Sequence, residues 1–407
     1  MLQFCCDCCI FTTLLNVMHE SFQLILSIIP FLIWLYLIFL YANKNLQFNG
    51  LFWTGNIILE NQKTKNPLPE KKKSLCIMVP ARNEEKYISE TIKSILTQDV
   101  KKFVLIVDDN STDNTTEEAL RTFKKNKFSQ FKIIKALRLP KGWSGKVWAL
   151  KQGVDWATKQ KFSYFLFIDS DIVLKKDIVK RTLEYMNDKK LTMISLMAKL
   201  KCQSLWEFLL IPSFIYFFQK LYPFSKVNNN KEKLAAAAGG FILCKSSIFK
   251  KENIYEQIKN KVIDDCNLAK KIKSHESSIW LGLTRMVESQ RNYTKLEEIW
   301  KMVSRTAYEQ LNHSILLLVV SIFGMIIIYI LPFINLLTQN SSNLITLNFF
   351  TILLMTISFV PTARFYNLSL PFYFSLPFSS LIYMLMTINS ASNYYFKDGN
   401  IWKGRKY

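Results

Sequence analysis

Hydrophobic and polar residues are first sorted into blocks along this chain, and only then into faces of elements. Ser21 to Tyr41 has no charged residue and is mostly Leu, Ile, Phe, Trp and Tyr, and from Ser314 to Phe396 the only charge is Arg364. A bilayer core of about 30 Å is crossed by roughly 20 helical residues, so both stretches are long enough to span one. The C-terminal block divides into segments near 314–337, 344–362 and 370–390. Pro371 and Pro377 leave the last of these either a third crossing or a re-entrant or interfacial piece. A third crossing would put the basic tail (Lys397, Lys403, Arg405, Lys406) on the far side from the charged middle, against the preference of Lys and Arg for the cytoplasm.

The middle of the chain has a finer rhythm. Leu75–Val79, Phe103–Val107, Phe131–Ile134 and Tyr164–Ile168 are short apolar runs that read as strands. Between them Ile88 to Gln98, Thr112 to Lys125 and Lys146 to Thr158 have helical spacing. This alternation predicts an α/β domain, a mostly parallel sheet with helices on both faces and ligands at the carboxyl ends of the strands. Further on, Phe208–Phe218 is almost wholly apolar and aromatic but too short for a span, and reads as lying in the membrane interface. Ala235–Gly240 is a small-residue loop feeding a strand at Phe241–Leu243. Lys261–Lys273 is a helix, and Leu296–Leu311 a membrane-surface helix with Ile299, Trp300, Val303, Ala307 and Leu311 on one side. The expected division is a tip at 1–20, a transmembrane helix at 21–41, a linker at 42–73, a catalytic domain with interfacial helices at 74–313, a transmembrane or re-entrant region at 314–396 and a basic tail at 397–407.

Charge sharpens the topology. In 407 residues 53 Lys and Arg face 31 Asp and Glu, a formal net charge of +22. Before Ser21 there is Asp7, His19 and Glu20 but no Lys or Arg, and no small-residue cleavage site follows Tyr41, so the first block is an anchor and not a signal peptide. Lys44, Lys63, Lys65 and Lys71–Lys73 follow it and place the middle in the cytoplasm. The lysines are spread over many loops without an aromatic-interleaved basic motif, which argues against nucleic acid as partner; an anionic membrane surface accounts for the same charge. Cys5, Cys6, Cys8 and Cys9 cluster in the tip, where an unstructured end is the plainest reading. Cys76, Cys202, Cys244 and Cys266 are expected as free thiols in a reducing compartment.

Candidate chemistry sits at strand ends. Asp169-Ser170-Asp171 closes the run Phe165–Ile168, and two carboxylates one residue apart can hold a hard, oxygen-liganded cation (Mg2+ or Mn2+) across a diphosphate. An ordinary solvated turn has the same composition. Asp108-Asp109 ends the second strand, with Ser111 or Asp113 able to cap the helix after it. Gly142-Trp143-Ser144-Gly145-Lys146 opens a helix whose N-terminus favours an anion, though a surface lysine is the simpler alternative. Asp264-Asp265 starts a later helix, where acids also interact well with the dipole.

Taken together with Val79-Pro80-Ala81-Arg82-Asn83-Glu84-Glu85, this series resembles family 2 glycosyltransferases of the GT-A fold over about residues 74 to 310. The membrane layout, Ile299-Trp300-Lys301-Met302-Val303 with Arg305, and Trp402-Lys403-Gly404-Arg405 look most like the hopene-associated subgroup. The resemblance implies that Pro80, Arg82, Glu84 and Asp109 line a nucleotide pocket, with a carboxylate accepting from a uracil N–H or ribose hydroxyls, and that Asp108 supports the same loop. It implies that Lys146 and Asp169 approach the donor phosphates and that Asp169 and Asp171 bind the metal. It makes Asp265 the general base, oriented by Asp264. Gly239 and Gly240 would let the acceptor approach the backbone, or form an ordinary tight turn. Arg291, Lys301 and Arg305 could compensate phosphate charge, and Trp300 could stack on a sugar or pack on the membrane side. The Gln-x-x-Arg-Trp motif of processive polysaccharide synthases is absent around Trp300, which argues against a polymerising enzyme. The implied activity is inverting transfer of one sugar from a nucleotide-sugar donor, UDP-linked, to a lipid acceptor such as a hopanoid or other polyisoprenoid, at a bacterial inner membrane. The alternatives are a polyprenyl-phosphate sugar synthase, a polysaccharide-assembly enzyme, or a catalytically idle nucleotide-binding membrane scaffold.

Overall fold

The computed structural model describes the backbone of residues 2–41, 75–275, 277–396, 401–402 and 405–406. The expected linker at 42–73, with Pro67, Pro69 and Lys71–Lys73, lies outside the described residues, as do the side chains of the cysteine cluster and of the basic tail. Among the described residues the main sheet has eight strands: β1 (Leu75–Ala81), β2 (Lys102–Asp108), β3 (Phe131–Lys135), β4 (Tyr164–Ile168), β5 (Ile172–Leu174), β6 (Met193–Lys199), β7 (Phe241–Lys245) and β8 (Ile279–Ser289). Their order is β3-β2-β1-β4-β7-β6-β8-β5. β3, β2, β1 and β4 are parallel; β7 runs against both β4 and β6, β8 runs with β6, and β5 runs against β8. The sheet is therefore mostly parallel, as the alternation predicts.

Side-chain alternation builds the two layers. Leu75, Ile77 and Val79 of β1 join one core with Ile92 of helix α2 (Ile88–Leu96), Phe123 of α3 (Thr115–Lys125) and Leu183 of α5 (Ile178–Asp188). Cys76 and Met78 face the other way, toward α4 (Gly145–Lys159). Strands covered on both faces carry apolar residues at every position, so β1 and β4 are buried almost throughout. The second core continues without a break into the apolar helices, because α6 (Leu205–Leu221) packs against α10 (Ser342–Phe365) and α11 (Leu376–Phe396). Tyr216 shares a 2.7 Å hydrogen bond with Ser358, and Tyr383 donates to the Leu210 carbonyl at 2.8 Å. Leu210, Ile211, Ile215 and Tyr216 are fully enclosed. Protein thus encloses one face of 208–218, while Phe208, Leu209, Phe214, Phe217 and Phe218 stay half-buried.

Among the described residues, three helical stretches are long and apolar enough to cross a membrane: Glu20–Phe39 within α1 (Leu2–Leu35) and its π-helical continuation, Ile315–Thr338, and Ser342–Phe365. Helical backbone extends back to Leu2, so the tip is not irregular. The region expected at 370–390 begins with a 3-10 turn, Leu370–Phe374, before α11. Leu296–Leu311 is not one helix: α8 (Leu296–Ser304) stops at Arg305, and a short turn, Ala307–Gln310, follows.

Candidate active site

The carboxyl ends of β1, β2 and β4 open into one cleft of about 470 Å³, a volume within the range of small-molecule sites. Its wall includes Pro80, Arg82, Glu84 and Asp109 as a first group, Lys146, Asp169, Asp171 and Asp264 as a middle group, and Arg291, Lys301 and Arg305 as a third, with Arg291 in contact with both of the others.

Local stitching explains the first group. Asn83 and Asn110 both take positive φ, 52° and 54°, a conformation Asn tolerates better than most residues. The Asp109 N–H donates to the Ala81 carbonyl at 2.8 Å, and Arg82 donates to the Asp109 and Asn110 carbonyls at 2.6 and 3.0 Å. The Glu84 and Asn83 N–H groups donate to Thr115 and Ser111 hydroxyls at 2.8 and 3.0 Å. Asp113 accepts from the Thr115 N–H at 3.1 Å, one residue ahead of the Asn114 cap position, whose own side chain makes no capping bond. Asp108 lies behind this loop: it is buried, accepts from the Ser111 N–H at 3.1 Å and is not on the cleft wall. It supports the loop from behind and does not itself reach the nucleotide side of the cleft.

The middle group is electrostatic. Lys146, second residue of α4, puts Nζ 2.8 Å from Asp169 and 3.6 Å from Asp264, so it is not a solvated surface lysine. Burial opposes its charge, but Asp169, Asp264 and Asp265 hold the ammonium well above its ordinary pKa. Burial likewise raises Asp169, against the pull of Lys146. Asp265 is pushed up to about 7 by burial and by the neighbouring Asp264. Its Oδ1 accepts the Cys266 N–H at 2.7 Å. Gly239 closes the group: a Cβ there would stand 3.0 Å from Lys146 Nζ and 3.4 Å from both Asp169 Oδ2 and Asp265 Oδ2. Gly240 is different, its virtual Cβ meeting Ile172 and Ala198, so it serves sheet packing.

On the third side Arg291 bridges two carboxylates, with Nε 3.1 Å from Asp171 and a terminal nitrogen 2.9 and 3.1 Å from the two Glu84 oxygens. Burial opposes its charge, yet Asp171 and Glu84 raise its pKa. Arg305 lines the cleft, and burial lowers its pKa. Trp300 is not on the wall: its indole N–H donates to Asn389 of α11 at 2.9 Å, which settles the choice between sugar stacking and packing in favour of packing. The wall also includes Ser144 and Met302, which lie inside quoted motifs without a role assigned to them, and Val262, Tyr293 and Glu298, which no motif contained. Val262 lies two residues before Asp264, so widening that motif would have found it.

An all-carboxylate donor pair at Asp169 and Asp171 suits a hard divalent cation. Among the described residues no group of three or more His, Cys, Asp and Glu is disposed around one metal position. The fit is therefore to a cation that takes its remaining ligands from water and phosphate, as Mg2+ commonly does.

A mostly parallel sheet whose strand-end carboxylates and lysine converge on one cleft defines an α/β domain built to bind a charged ligand. Residues 76–252 match the family model described as Glycosyl transferase family 2. The chain is 36% identical over 110 residues to 4,4'-diaponeurosporenoate glycosyltransferase of several Staphylococcus aureus strains, a match covering 26% of this chain and 27% of the relative's length. Among solved structures, a mannosyltransferase from Pyrobaculum calidifontis in complex with GDP-Man and Mn2+ aligns at TM-score 0.48 and 14% identity, over 93% of this chain and 99% of that one. Glucosyl-3-phosphoglycerate synthase from Mycobacterium tuberculosis aligns at TM-score 0.40 and 15% identity, over 59% and 79%.

Proposed function

We propose that this protein transfers a single sugar, with inversion, from a UDP-linked donor to a lipid acceptor at the cytoplasmic face of a bacterial inner membrane. The observation that carries the reading is the convergence of Asp169, Asp171, Lys146 and Asp264 in one cleft whose wall also includes residues of α8, the helix just before the first C-terminal span. Relatives over 110 residues bear the name of a carotenoid glycosyltransferase, which supports a polyisoprenoid acceptor. Two candidate spans follow the domain, Ile315–Thr338 and Ser342–Phe365.

In this reading Pro80, Arg82 and Asp109 face the nucleoside, and Lys146 neutralises phosphate charge. Asp169 and Asp171 would hold Mg2+ or Mn2+, which when bound offsets the charge developing on the leaving nucleoside diphosphate. Asp265, deprotonated, takes the proton of the acceptor hydroxyl, and Asp264 keeps its affinity for that proton high. Gly239 leaves room beside these groups for the acceptor. Lys301 and Arg305 add positive charge on the membrane-side wall.

The test is to incubate membranes holding the protein with a panel of labelled nucleotide sugars and identify labelled lipid by mass spectrometry. Asp171→Asn and Asp265→Asn should each lower transfer at least about 100-fold, the scale expected when an electrostatic or general-base contribution is removed. Full transfer in both variants would overturn the assignment.

A further inference from the structure

The last three residues before the second half of the cleft wall form a fastening that the proposed chemistry has not used. β5 and the end of β8 are antiparallel, with Ile172 opposite Ser289. That register carries Ser289, Gln290 and Arg291 across the metal-side turn. The Gln290 N–H donates to the Asp171 carbonyl at 2.7 Å, and its side-chain amide reaches the Tyr87 carbonyl and the Thr91 hydroxyl at 3.1 and 2.9 Å. Ser289 Oγ and Arg291 Nε both donate to Asp171 Oδ2, each at 3.1 Å, which leaves Oδ1 for another ligand. The guanidinium lies over the Tyr87 ring, 5.3 Å from its centroid, and takes both Glu84 oxygens. Glu84 itself is 5% exposed.

This arrangement changes the part given to Glu84. A buried carboxylate whose two oxygens both accept from one guanidinium nitrogen is poorly placed to accept from a nucleobase or ribose. We infer that Arg291 is a positioning residue that ties the loop after β1 to the metal-side carboxylate: it fixes Asp171 with one oxygen turned over to the cation, and Glu84 is its anchor instead of a nucleoside contact. The inference rests on the glycosyltransferase reading, because it requires a cation at Asp169 and Asp171. Groups that orient a metal-bound carboxylate are felt in metal affinity, typically by 10- to 100-fold when removed.

The experiment uses the full chain in detergent micelles and measures two quantities separately: Mn2+ affinity in the presence of UDP, from the electron paramagnetic resonance signal of free Mn2+, and UDP affinity without metal. Arg291→Lys keeps the charge but loses the fork, and Glu84→Gln removes the anchor. Both should weaken Mn2+ binding about 10- to 100-fold and leave metal-free UDP binding largely unchanged. Ser289→Ala, which deletes a smaller contact to the same oxygen, should move Mn2+ affinity in the same direction by less and keeps the test open if Arg291→Lys does not fold. Unchanged Mn2+ affinity in Glu84→Gln and Ser289→Ala would overturn the inference. A loss of metal-free UDP binding in Glu84→Gln would also overturn it, by making Glu84 a nucleoside contact. A wild-type protein that binds no Mn2+ with UDP would overturn the functional reading, and the inference with it.

Discussion

At the scale of single residues, the site is a contest between burial and neighbouring charge. Asp264 and Asp265 are adjacent carboxylates at the start of a helix, beside Lys146. Burial and Asp264 push Asp265 up to about 7, where a carboxylate can accept a proton near neutral pH. A general base works deprotonated, so transfer should rise with pH through about 7, and Asp264→Asn, which removes the like charge, should move that rise to lower pH. The same shift has a stability sign. A carboxyl held protonated in the fold above its unfolded pKa costs stability as pH climbs from the unfolded value of 3.8 toward 7. Asp265→Asn should therefore unfold at a temperature higher than wild type at pH 8, by roughly 2–4 °C for each kcal/mol recovered, while losing transfer. Thermal melts and a pH–rate profile on the same preparations check both.

At the scale of elements, neighbouring glycines separate chemistry from packing. Gly239→Ala would press a methyl against the flexible end of Lys146 and toward two carboxylates, so the lysine can yield and stability should barely change while transfer falls. Gly240→Ala meets Ile172 at 3.2 Å and Ala198 at 3.3 Å, atoms held inside the sheet, and overpacking of this kind costs about 1–3 kcal/mol. Measuring Tm and transfer for the pair should show opposite patterns. The elements themselves were unevenly legible. β1, β2, β3 and β4 were readable because short apolar runs sit between helices with clear spacing. β5, β6, β8 and α5 were not assigned; β5, with three residues, is too short a run to mark a strand. The same gap hid the fastening of Asp171: only the β5–β8 register brings residue 291 to residue 171.

At the scale of the whole molecule, the sheet and the apolar helices share a core, so these helices act as a scaffold for the sheet. Asn348 of α10 is fully enclosed and donates to Ser27 of α1 at 2.9 Å, while Asn335 reaches the same hydroxyl at 3.3 Å. Polar contacts between helices in a bilayer are worth about 0.6 kcal/mol on average and up to roughly 1.7. Asn348→Ala should lower thermal stability in detergent by that order without changing the metal dependence of transfer, checked by melting curves and assays side by side. Trp34 adds a 3.0 Å bond to the Ile328 carbonyl, so α1 is held both at Ser27 and at Trp34.

Block segregation of charge and the strand-end motifs were decided by the sequence alone: apolar runs free of charge can be satisfied in lipid or in a buried core, and alternating strands and helices fold into few other arrangements. The family, the strand-end carboxylates and the lysine were all readable at that level. Tertiary structure alone decided which side chains share the cleft. It turned Asp108 and Gly240 away into supporting positions, gave Trp300 to α11, covered one face of α6 with other helices, and joined Glu84 to Asp171 through Arg291. Those outcomes depend on strand register and on contacts between residues hundreds of positions apart, which no local pattern of residue types encodes.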